Sequence, residues 1–482
     1  MSITSSLSNA LSGLTAASRG AEIVSSNVAN ALTEGYGTRD ISLTARFGGG
    51  IGGVSVVGET RRIDAGLLSD RRLSDANLGN AAGQASYLSK IEAMAGLPGE
   101  DGSLTDLIAD LEASYLEATA FPDSEPHQQE ILNNSLNLAN RLNDMSDMVQ
   151  QQRQIADRSI NDQVNFLNAA LKQVESLNAD IQSESLSGVA VSGLLDQRQQ
   201  VIDSISELVP IREVPRAHGR VALLTTGGAQ LVDGPAAVIG FSPSNTIVPD
   251  MELSAGSLSG LTINGRALSE NNRAMDGGAI AANFAIRDEL AVKTQAQLDS
   301  MALDLMSRFE DSAVDPTLLP GDAGLFTDNG SAMDPSMELG LAARISVNDA
   351  VNPNSGGFLF RIRDGIGAVT AGSVGDTSLL QAAYTALTQP SVPASSTISS
   401  QDQSVQSLAA EFLSQVTLEK YTQENTQSFA QSRNLSLTAL ELQGGVDTDE
   451  QMQKLLLIEQ AYGANARVIQ TIDDLIQTLI RI

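Results

Sequence analysis

From about Pro126 to Ile181 the chain repeats a single helical pattern, and few folds accommodate an element of that length. Leu138, Leu142, Met145 and Val149 form one apolar seam, and Ile160, Val164, Leu167, Leu171, Val174 and Ile181 form another. The eleven-residue step between Val149 and Ile160 lets the seam continue along a straight helix instead of a tight left-handed supercoil. Helical patterns dominate from about Leu68 to Leu208, with breaks near "GLPGEDGS" and "FPDSEP" and a stop near Val209 and Pro210. A chain of 482 residues built around such a rod predicts several domains.

The two ends carry seams of another kind. Ile3, Leu7, Ala10, Leu14, Ala17, Ala21, Val24, Val28 and Ala31 alternate steps of four and three, a heptad pattern. It is rich in Ala, so this helix is expected to be poorly ordered in a lone monomer. It stops at "NVANALTEGYG", where Asn27 and Asn30 lie one turn apart and Gly35 can take positive φ. In the last helix Ile458, Tyr462, Asn465, Ile469, Ile472, Ile476 and Leu479 repeat the same alternation. A second stripe of Ala461, Ala464, Val468 and Leu475 lies beside it. Two stripes favour a bundle or a polymer, with a terminal helix docked on its own domain as the alternative.

Between the ends, Arg46 to Gly66 is glycine-rich and reads as a short extended segment. From Val214 to about Ala267, Gly-Gly, Asp-Gly and Asn-Gly pairs separate short apolar runs, a hairpin signature inserted between helices. Helix returns over "GGAIAANFAIRDELAVKTQAQLDSMALDLMSRFEDSA" and stops by Pro316. Pro316 to Ser395 reads as irregular with a few strands or short helices, "SVPASSTISS" as a linker, and the chain from Asp402 onward as helix broken at "QGGVDTDE".

The composition excludes more chemistry than it offers. Acidic residues number 58 against 29 basic ones, a formal charge of −29 that repels nucleic acid and anionic membrane. There is no Cys, which removes disulfides, thiolate metal sites and cysteine nucleophiles. His127 and His218 both sit in polar, surface-type settings. No G-x-S-x-G elbow occurs, and Gly48 to Gly53 lacks the order of a phosphate loop. The acidic loops lack the ligand spacing of a calcium hand, and Asp447 with Asp449 reads as a helix N-cap. The reading is therefore of a protein without catalytic, cofactor or metal residues. The first twenty residues lack a charged start and a continuous apolar core, so no cleavable signal is read, and no apolar run is long enough to cross a membrane.

The N-terminal stretch resembles the rod motif shared by axial proteins of the bacterial flagellum, in Ser6, Leu7, Ala10, Ser12, Gly13, Leu14, Asn27, Val28, Ala29, Asn30, Thr33, Gly35 and Tyr36. It departs at Leu32 and Glu34. The C-terminal "GVDTDEQMQKLLLIEQAYGANARVIQTIDDLIQTLI" is similar to the matching axial motif. "LLDQRQQVIDSISELVPI" and the segment holding Arg287, Asp288 and Glu289 resemble the hook-associated protein 1 family, which separates the chain from rod and hook proteins.

The resemblance implies a mainly α fold with inserted β: a terminal-helix coiled coil, a long-helix bundle domain and a small outward β-rich domain. The division expected is 1–47 with 441–482 as the axial part, and 48–212 with 275–315 and 396–440 as the long-helix part. The β-rich part is 213–274, and 316–395 is a mixed segment assigned to none or to the outer domain. It further implies a homo-oligomeric ring between hook protein and the next junction protein, an export chaperone at the C-terminal region, and an extracellular place reached by type III export. Assembly residues expected on this reading are Ile3, Leu7, Leu14, Val24, Asn27, Val28, Asn30, Tyr36, Ala461, Tyr462, Val468, Ile469, Ile472, Ile476 and Leu479. The alternatives are another axial protein, hook or filament-like, or from a different class a secreted hydrolase or calcium-binding adhesin.

Overall fold

A computed structural model describes residues 3–33, 35–46, 52–268 and 273–481, so Glu34 and the glycines from Gly48 to Gly50 lie outside the described residues. In chain order the elements begin with helix α1 (Ile3–Ala29), strands β1 (Thr38–Ala45) and β2 (Val54–Arg62), and helices α2 (Ala65–Ala95), α3 (Leu104–Ala120), α4 (Glu125–Leu186) and α5 (Ser192–Leu208). Short strands β3 (Ile211–Pro215), β4 (Val221–Thr225), β5 (Gln230–Val232), β6 (Ile239–Gly240), β7 (Thr262–Ile263) and β8 (Arg266–Ala267) follow. Then come α6 (Gly278–Ala285), a π turn (Ile286–Leu290), α7 (Ala291–Glu310), β9 (Phe326–Asp328), β10 (Ile345–Val347), α8 (Arg361–Asp364), α9 (Ser378–Thr388), α10 (Val405–Gln443) and α11 (Thr448–Arg481). The chain is thus mainly helical with small antiparallel sheets.

Helix α4 is the spine. Its 62 residues span ~90 Å at the helical rise. It starts with Pro126 in its first turn, where a missing N–H costs nothing. All ten apolar seam residues are buried, and all but Ile181 divide between two cores. Ile131 to Ala156 pack with α3, α7, α9 and the start of α10, whereas Ile160 to Val174 pack with α5 and the strands.

The eleven-residue step between the seams is filled by charge. Arg153 and Asp157 are buried there, and Arg287 of the π turn is buried against them. Arg287 donates to Asp157 at 2.6 Å and to Asp288 at 2.8 Å, and its guanidinium lies 4.9 Å from the Phe284 ring centroid. Arg153 Nε donates to the Arg287 carbonyl at 2.9 Å, and the second Asp157 oxygen accepts from Ser244 N at 2.7 Å. Burial lowers the Arg153 pKa from its usual value, so this knot persists only because every charge has partners.

Strands β3, β4 and β5 form one sheet and β6, β7 and β8 another, with Asn264–Gly265 turning the β7–β8 hairpin as its sequence predicts. Both lean on the second half of α4 and share its core. The segment 316–395 contains β9, β10, α8 and α9 among irregular turns. It packs on the other core, through Phe326, Leu341, Ile345, Ile362, Leu380 and Leu387. One tether is the Asp299 carboxylate on α7, which accepts from Gly340 N at 2.7 Å and Ala342 N at 2.8 Å while burial raises its pKa.

Candidate assembly interface at the chain termini

α1 and α11 pack against each other in opposite directions. Asn27 meets Gln451, Gly20 meets Ile458 and Gly13 meets Asn465, so α1 descends by seven as α11 climbs by seven. A glycine inside a helix costs about 0.5–1 kcal/mol, but here a side chain has no room. A Cβ on Gly13 would lie 2.6 Å from Asn465 Nδ2, and one on Gly20 3.1 Å from Ile458 Cδ1. The buried row of α1 is therefore Ala10, Ala17, Gly20, Val24 and Asn27, with Ala16 and Ile23 beside it. The seam read from sequence holds Ala10, Ala17 and Val24 of this row, but it also chose Leu7 and Val28, which are exposed, and passed over Gly13 and Gly20. The seven-residue spacing of Gly13, Gly20 and Asn27 was the signal that hydrophobicity alone passes over.

Asn27 is fully buried and uses its whole carboxamide. Nδ2 donates to the Arg39 carbonyl at 2.8 Å and to Gln451 Oε1 at 2.9 Å. Oδ1 accepts from the Tyr36 hydroxyl at 2.9 Å and from Arg39 N at 3.0 Å. Gly35, at φ +76°, turns the chain back so that Tyr36 and Arg39 reach it. Asn30 makes the helix-end bond, donating to the Ser26 carbonyl at 2.9 Å. At the facing end, Asp447 Oδ1 accepts from Asp449 N and Glu450 N and starts α11 next to Gln451.

The β1–β2 hairpin lies on α1, where Ser12 Oγ accepts from Val54 N at 3.2 Å. It spans residues on both sides of position 47, where sequence placed the end of the axial part. Its far side meets the "LLDQR" stretch on α5. Asp196 accepts from Gly37 N at 3.1 Å, Arg39 at 2.8 Å and Arg61 Nε at 2.6 Å, and Arg61 also donates to Gln199.

The residues predicted from sequence fall into three groups. Val24, Asn27 and Ile472 are buried in the helix pair; Ile3, Leu14, Asn30, Tyr36 and Ile469 are half-buried. Leu7, Val28, Ala461, Tyr462, Val468, Ile476 and Leu479 are exposed. On α11 the stripe holding Ile458, Ile469 and Ile472 faces α1, while Ala461, Ala464, Val468 and Leu475 face outward. Charge is divided in the same way. Residues 1–62 and 444–482 carry eight Lys or Arg and ten Asp or Glu, a net −2, against 21 and 48, a net −27, in the rest. A nearly neutral module with apolar side chains in water lacks the repulsion that keeps the acidic body apart from its copies. His127 is no ligand in this arrangement: it stacks on Phe121 and bonds Ser124 Oγ at 2.8 Å.

Three known families match successive parts of the chain. Residues 7–36 match the flagella basal body rod protein family, 88–325 the flagellar hook-associated protein FlgK helical domain, and 443–482 the flagellar basal body rod FlgEFG protein C-terminal family. Flagellar hook-associated protein 1 of Bacillus subtilis (strain 168) is 23% identical across 98% of this chain and 97% of its own length. That of Escherichia coli (strain K12) is 25% identical over 59% of this chain, and the chain spans only 56% of that relative's length. The solved flagellar hook junction protein FlgK from Burkholderia pseudomallei is similar with a TM-score of 0.45 at 20% identity, over 54% of this chain and 47% of that one.

Proposed function

Because the chain belongs to the flagellar hook-associated protein 1 family, we propose that it is a structural junction protein of the bacterial flagellum that joins hook to filament. The observation that carries this reading is the near-neutral terminal module, whose α11 leaves Ala461, Val468 and Leu475 uncovered after α1 has taken the other stripe. In a ring, the paired helices form an axial coiled coil, their outer stripe packs on the next copy, and the acidic body sits at larger radius. Hook protein lies on one side and the next junction protein on the other. The protein travels to the cell exterior through the flagellar export apparatus, with a chaperone engaging the C-terminal region. The axial part is 1–47 with 441–482, extended by the β1–β2 hairpin. The long-helix part surrounds it, and 213–274 with its strands points outward. No step of this role calls on catalysis or a cofactor.

The test is a charge on the outward stripe. Val468→Glu with Leu475→Glu changes side chains exposed to water in the monomer, so the melting temperature is expected to stay within about 2 °C of wild type. The same variant is expected to leave cells non-motile, with the protein secreted but absent from flagella. Normal swimming and normal incorporation would remove α11's outer face from the interface.

A further inference from the structure

Among the described residues, neither apolar core contains one from 3–86 or 417–481. Among the described residues, the terminal module of α1, β1, β2 and α11 meets the body through a set of polar contacts around Asp196 and through two short connections. One is Ile63–Asp64 between β2 and α2; the other is Gly444–Asp447 between α10 and α11. The polar contacts form one continuous chain. Arg39 and Arg61 on the hairpin share Asp196 of α5, and Arg61 reaches Gln199. Gln199 Nε2 lies 3.5 Å from Glu441 at the end of α10, which pairs with Arg71 at 2.6 Å. Arg71 and Arg72 of α2 then share Asp203, and Arg72 pairs with Glu213 at 2.7 Å.

We propose that this joint is a hinge and that Asp196 is its clasp. Hinges need a few connecting residues that absorb backbone rotation and an interface that opens without exposing apolar surface, and this joint has both. Asp196 holds the module at three points: the Gly37 backbone N–H and the guanidinium groups of Arg39 and Arg61 on the hairpin. With it in place the angle between module and body is fixed. Without it Arg39 and Arg61 lose their shared acceptor, and the module, still folded through the Asn27 and glycine contacts, swings about its two connections. The use of such a hinge rests on the assembly reading: a ring between two different tubes needs bodies that reorient while the axial helices stay packed. The geometry does not depend on that reading.

The absence of cysteine makes the experiment direct. Spin labels at Thr471→Cys on α11 and Gln173→Cys on α4 report the module-to-body distance in the full-length monomer. A second pair, Glu117→Cys on α3 with Gln173→Cys, reports the body alone. Asp196→Ala is expected to broaden the first distribution about twofold or more and leave the second unchanged, with Asp196→Glu restoring most of the width lost. An unchanged first distribution in Asp196→Ala would overturn the proposal. Should that variant also broaden the body pair, Arg61→Gln decides: broadening of the first pair alone supports the hinge, and no broadening overturns it. Assembly plays no part in this readout, so its failure and failure of the junction reading are separate results.

Discussion

Asn27→Ala is expected to melt the terminal module while leaving the body folded. The substitution strips partners from the Tyr36 hydroxyl, the Arg39 N–H and carbonyl, and the Gln451 carboxamide, in a site where Asn27 is closed to water. Each buried polar group left unsatisfied costs about 1–3 kcal/mol. Several together come to roughly 3–5 kcal/mol, a large share of what a Gly- and Ala-rich helix pair gains by packing. Amide exchange on the intact protein is the measurement, because it resolves regions of different stability. Amides of α1, β1 and the first turns of α11 are expected to lose protection, and those of α4 to keep it. Equal protection in variant and wild type would mean that the glycine contacts alone hold the pair.

Arg287→Met should act at the other end of the stability range, on the whole body. Among the described residues it leaves the buried Asp157 carboxylate with the Ser244 N–H, and it removes the ion pair between α4 and the π turn. Breaking one side of a buried pair costs about 3–5 kcal/mol. At about 2–4 °C per kcal/mol for a domain of a few hundred residues, the main melting transition is expected to fall by roughly 10 °C. The double variant Asp157→Leu/Arg287→Met is expected to recover much of that loss, since removing both charges removes the uncompensated one. A double variant as unstable as the single would show that shape at this crossing matters more than charge.

These two sites also mark where sequence was legible and where it was not. The α4 seam could be read because ten apolar residues recur at helical spacing, and all ten are buried. The charged knot within it could not, because Arg153, Asp157 and Arg287 look like surface residues until a partner 130 or more positions away is known. On α1 the helix, the turn at Gly35 and part of the contacting row, Ala10, Ala17, Val24 and Asn27, were legible, but Gly13 and Gly20 were not. Glycines contribute nothing to an apolar pattern, although a close helix pair depends on them. On α5, "LLDQR" stood out only by resemblance. Its role lies in Asp196 meeting Gly37 and Arg61, positions 159 and 135 residues away.

If the proposed role is correct, filament cannot begin on hook without this chain. The most direct measurement is the fate of both structures in cells from which the chain has been deleted, followed by electron microscopy of the cell surface and by assay of the culture medium. Completed hooks without filaments are expected, with filament subunits released as monomers into the medium. Filaments of normal length growing from those hooks would contradict that role.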